Sequence, residues 1–192
     1  MNWLVFTIWV YLMLVADKGL DELLEVQMVA PSFTLILAVF LSLWAAPATV
    51  PWTLLVLGVL QDLSYGHAAG SVSNLLLIGP HGLGYLAGGY VSIQLRGLVL
   101  RDSPVAMAVT VFAIGLFVHL VVVAMLTLRG LPILLVEPIC AWSAADELVR
   151  RFFALLYTAA VSLPVGYVLI RSARLWRFSA TKVGLGRSRR IT

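Results

Sequence analysis

The side chains able to do chemistry in this 192-residue sequence are few and lie among long apolar runs: Asp62, Asn74, His81, His119, Cys140 and the pair Asp146 and Glu147. Asp62 is the only acid well inside the apolar stretches. A charged carboxylate near hydrocarbon costs roughly 2.5 to 3.5 kcal/mol on insertion scales, so it is expected to serve a partner, a pathway or a water-filled pocket. His81 has no second histidine three or four residues away on one helical face. It is therefore read as a polar cap on a broken helix rather than a metal ligand. His119 has no acid on its own helix, which favours a neutral imidazole bonded to a neighbouring helix over a proton relay. Cys140 cannot pair within the chain and sits beside Trp142 as an apolar filler, with no histidine and carboxylate pattern to activate it. No GxSxG, HExxH or paired catalytic acids occur, so no enzyme is expected, and neither a cofactor nor a metal is called for.

The elements that must position these groups follow from composition. The chain is 61% hydrophobic and 11% charged, against about 25% charged in an ordinary soluble domain. With a mean hydropathy of +1.01 it reads as an all-α integral membrane protein. Its length suits a single six-helix transmembrane bundle over residues 1–170, with spans at about 3–16, 28–46, 52–63, 72–95, 104–128 and 152–170, followed by a basic tail at 171–192.

The first run, WLVFTIWVYLMLVA, has no basic residue before it and no small-x-small site after it, so it reads as an uncleaved helix rather than a signal peptide. The segment DKGLDELLEVQ is expected along the interface. Pro31 is placed in the first turn of the second span, where a missing amide proton costs nothing. Pro47 and Pro51 bracket the turn of an antiparallel hairpin, and the short third span ends at Gln61 and Asp62. Gly79 and Pro80 interrupt the fourth span, predicting a break near Ile78. Pro104 opens what reads as the longest span. Ser143 to Asp146 fits a capping box, which starts the last helix near Ala144 with Arg150 and Arg151 at the membrane surface and a kink at Pro164.

Orientation follows from the basic residues. With both termini cytoplasmic, Arg96, Arg101 and the seven cations of the tail lie inside, while Lys18, Arg129, Arg150 and Arg151 lie outside, which obeys the positive-inside bias. The tail then meets anionic lipid headgroups. Trp176 and Phe178 are its only stacking residues, and nucleic acid is not an expected partner.

Gly58, Asp62 and Gly66 form the pattern GxxxDLxxG, which follows a proline that opens an apolar helix. This segment resembles the rod shape-determining protein MreD family, with Gly70 as the next matching glycine. The resemblance implies a six-helix fold similar to the substrate-binding subunits of energy-coupling-factor transporters. It also implies a non-enzymatic scaffold in the bacterial inner membrane that binds MreC, is linked to MreB, and supports peptidoglycan synthesis by RodA and its penicillin-binding transpeptidase partner. Gly58, Asp62, Gly66, Gly70, Gly84 and Gly88 are then the expected partner-binding residues, with a satisfied acid at a helix end as the competing reading of Asp62. The other expectation is a small-molecule transporter or its substrate-binding subunit, using Asp62, Asn74 and His81 as pocket groups.

Overall fold

The computed structural model describes residues 1–25, 29–65, 79–97, 103–129 and 144–176. Regular structure among them is helical: α1 (Trp3–Gly19), the single turn α2 (Asp21–Leu24), α3 (Phe33–Trp44), α4 (Val50–Tyr65), α5 (Pro80–Leu95), α6 (Pro104–Arg129) and α7 (Ala144–Ser172). Of these, α6 and α7 are each long and apolar enough to cross a membrane.

The centre is α3. Its residues from Phe33 to Leu43 are all buried, so it is apolar around its whole circumference because it is enclosed by other helices. At 12 residues it is about 18 Å long, well short of a hydrocarbon core of about 30 Å. Within the expected second span at 28–46 the helix covers Phe33–Trp44. Pro31 lies ahead of its cap rather than in its first turn, and the cap is Ser32, whose Oγ accepts from Leu35 N at 3.3 Å.

Side-chain pairings fix the direction of the six long helices. Asp17 at the end of α1 meets the start of α3, while Asn2 lies beside Trp176, whose ring packs on Phe40. Leu54 approaches Gly89, and Gly58 approaches Gly82, so α4 and α5 are antiparallel. Gly84 meets Val122 whereas Gly88 meets Ile114, and Gly115 meets Leu155 whereas Gly166 meets Met107, so the alternation continues through α6 and α7. The amide of Asn2 donates to the Trp176 carbonyl at 2.9 Å, which joins the start of α1 and the end of α7 at one end of the bundle. Trp176 itself is fully buried, stacked at 6.4 Å on Trp9.

Several boundaries differ from the sequence reading for local reasons. α4 begins at Val50, because Pro51 is tolerated in a first turn. α5 starts on Pro80 with Gly79 at its cap, and Ile78, where the break was expected, lies outside the described residues. The longest helix is α7, at 29 residues, rather than the one opened by Pro104, and it runs unbroken as helix through Pro164. Ser143 lies outside the described residues.

Candidate functional site

Two buried carboxylates occupy the end of the bundle opposite Asn2 and Trp176, and each closes the start of a helix to which it does not belong. The first turn of α5 exposes amide protons that Pro80 and Gly79 cannot cap with a side chain. Asp62, near the end of α4, supplies the acceptors. Its Oδ2 accepts from Gly79 N at 2.8 Å and Gly82 N at 3.4 Å, and its Oδ1 accepts from His81 N at 3.2 Å. His81 Nδ1 lies 2.7 Å from the same Oδ1 and donates to it when the carboxylate is ionised. Four donors thus meet the roughly four lone-pair directions of one carboxylate, at the positive end of a helix dipole. The Asp62 side chain is 2% exposed. Gly79 has φ of 139°, a conformation that needs a residue without Cβ, and this turn aims the three amides at one point.

Asp17 repeats the arrangement at α3. Its Oδ1 accepts from Phe33 N at 2.5 Å and its Oδ2 from Thr34 N at 3.2 Å, and the Thr34 hydroxyl also donates to it. Gln61, beside Asp62 in sequence, is buried as well. Its Oε1 is buried without a hydrogen-bond partner among the described residues. On the far side, Ser32 N donates to Thr158 Oγ1 of α7 at 3.0 Å.

A third polar cluster joins α6 to α7 at this same end. Arg151 Nε donates to Glu147 at 2.7 Å, and its Nη1 lies 3.4 Å from His119 Nδ1. A guanidinium can only donate, so His119 accepts through Nδ1 and a neutral ring carries its proton on Nε2. His119 is therefore bonded to a neighbouring helix, as its lone position in α6 implied.

The glycines serve internal contacts. A Cβ on Gly58 would lie 2.7 Å from Gly82 N and 2.8 Å from the His81 carbonyl carbon, so α4 and α5 touch backbone to backbone there. A Cβ on Gly84 would come within 3.1 Å of both Val118 and Val122, and one on Gly88 would press on Val118 and Ile114. Gly58, Gly84, Gly88 and Asp62 were expected to face a partner; all four are buried against their own chain, since close approach between α4, α5 and α6 uses the surface those residues leave open. Gly66, Gly70, Asn74 and Cys140 lie outside the described residues. Between α3, α4, α5 and α6 an apolar cavity lined by Leu35, Ser42, Leu54, Tyr85 and Gly89 holds only about 10 Å³, about one water at most.

Asp17 and Gln61 were not singled out by sequence reasoning. No local signal marks Asp17, whose partners Phe33 and Thr34 lie 16 and 17 residues on, past a change of chain direction. Arg151 was read only as a surface cation, because nothing in the sequence links it to His119 across 32 positions.

No family model, no curated protein and no solved structure matches the chain.

Proposed function

We propose that this chain is a non-enzymatic, multi-pass scaffold of the bacterial inner membrane, similar to the MreD family, in which a six-span bundle receives the membrane helix of an MreC-like protein. In this reading the fold is of the kind used by energy-coupling-factor substrate-binding subunits, both termini are cytoplasmic, and MreB, RodA and its transpeptidase are reached through the complex.

The observation that carries the proposal is the use made of Asp62. The acid of the GxxxDLxxG segment meets four donors from the start of α5, and the glycine before it lets α4 and α5 close on each other. The segment therefore supports a rigid bundle rather than a reaction or an open solute site. A partner would meet the outward faces that this bundle presents, where Val105, Val109, Phe117, Leu120 and Leu128 follow one another along α6. A solute carrier would need a pocket of several hundred Å³ with convergent polar groups. Among the described residues, the cavity between α3, α4, α5 and α6 holds only about 10 Å³.

Affinity purification of the tagged full chain from its native membranes tests the proposal. Recovery of a single-span protein with a coiled-coil domain is the expected result. Recovery of a stoichiometric vitamin-sized molecule without such a protein would replace it with the transporter reading.

A further inference from the structure

We infer that the end of α7 carries a binding site for one anionic phospholipid, with Arg171 and Arg174 holding the headgroup phosphate. The inference rests on the reading of α7 as a membrane-spanning helix, which its length and apolarity support. Both arginines are exposed and border an open hollow of about 530 Å³ that Ile170 also lines. Arg171 is held in place: its Nη1 donates to the Tyr167 hydroxyl at 2.9 Å, and its guanidinium stands 5.9 Å from the centroid of that ring. Among the described residues neither arginine makes an ion pair, and the described acids Asp17, Asp21, Glu22, Glu25, Asp62, Asp146 and Glu147 all belong to the opposite end of the bundle. Among the described residues the positive charge has no acidic partner at that end, and a phosphate oxygen pair suits the fork of a guanidinium.

The neighbouring surface selects a lipid over a free anion. Tyr167 and Val168 are more than half exposed and Leu163 is 41% exposed, all on the turns of α7 just below the arginines. An aromatic ring with a polar tip beneath two cations is the arrangement expected at headgroup depth, with acyl chains lying along the apolar turns. Leu175, 63% exposed, flanks the site on its other side.

The test is native mass spectrometry of the full chain in detergent, titrated with phosphatidylglycerol, phosphatidylcholine or inorganic phosphate. The expected result is a saturable one-to-one adduct with phosphatidylglycerol alone. Each arginine near an anionic surface is worth about a fivefold change in affinity, so R171Q/R174Q should weaken the adduct roughly 25-fold. R171K/R174K, which keeps the charges, should recover part of it, and R187Q/R189Q/R190Q in the distal tail should leave it intact. Equal binding by R171Q/R174Q, loss in the distal variant alone, or equal adducts with inorganic phosphate would each overturn the site. Carbonate extraction of native membranes separates this outcome from failure of the membrane reading, since a chain released by carbonate would not have α7 in the bilayer at all.

Discussion

A carboxylate inside an apolar bundle is tolerated when every one of its lone pairs is met, and Asp62 meets that condition with donors from a single helix start. Hydrogen bonds to a charged group contribute about 1.5 to 3 kcal/mol, and losing a cap costs about 0.5 to 2 kcal/mol, so D62A should destabilise the chain by roughly 2 to 3 kcal/mol. D62N keeps the shape and one acceptor oxygen and should lose less. Thermal unfolding of the purified chain in detergent orders the two, and a D62A protein as stable as the parent would show that the α5 amides do not depend on this acid. The same measurement applies to Asp17, where T34V should cost less than D17A because it leaves both amide contacts in place. How far these roles could be read beforehand differs between the two acids. The position of Asp62 beside a glycine-rich break announced a special acid, and a satisfied helix-end carboxylate was one of its two readings. Asp17 gave no such sign, because its partners lie beyond a change of chain direction that local sequence does not encode.

At the scale of elements, helix approach is set by what the glycines leave empty. G58A would place a methyl group against the backbone of Gly82 and His81, which cannot rotate away, so α4 and α5 must separate. Overpacking of this kind costs about 1 to 3 kcal/mol, and G58A should fall at the upper end. G89A meets the Cδ1 end of Leu54, a side chain that can turn, and should cost less. The distinguishing measurement is the double variant: L54A should remove most of the penalty of G89A, whereas no single side-chain truncation should rescue G58A. Equal penalties for the two glycine variants, with no rescue by L54A, would contradict this packing. Element order and helical class were legible because long apolar runs punctuated by proline and glycine leave few alternatives. The reach of α3 was not. A helix apolar on every side has the same pattern whether lipid or protein surrounds it, and only the fold decides that α3 is a 12-residue core helix.

For the whole molecule, the alternation of six helices puts Gly97 and Leu175 at the end shared by Asn2 and Trp176 and Leu20 at the other. In a background lacking Cys140, an impermeant thiol reagent added to sealed membranes should modify L20C from one side, and G97C and L175C from the other. Labelling of L20C and L175C from the same side would break the six-span arrangement. In the proposed topology the basic end formed by Arg96, Arg171 and Arg174 would face the cytoplasm, as the positive-inside bias expects. What such a bundle offers a partner is its outer surface. The most direct measurement is site-specific photocrosslinking in native membranes, with the probe placed at Val109 and Leu120 on the outward face of α6 and at Tyr90 on α5. A scaffold should give a crosslink to one single-span protein from at least one of these faces, lost when the partner gene is deleted. Crosslinks to lipid alone from all three positions would contradict a docked membrane partner.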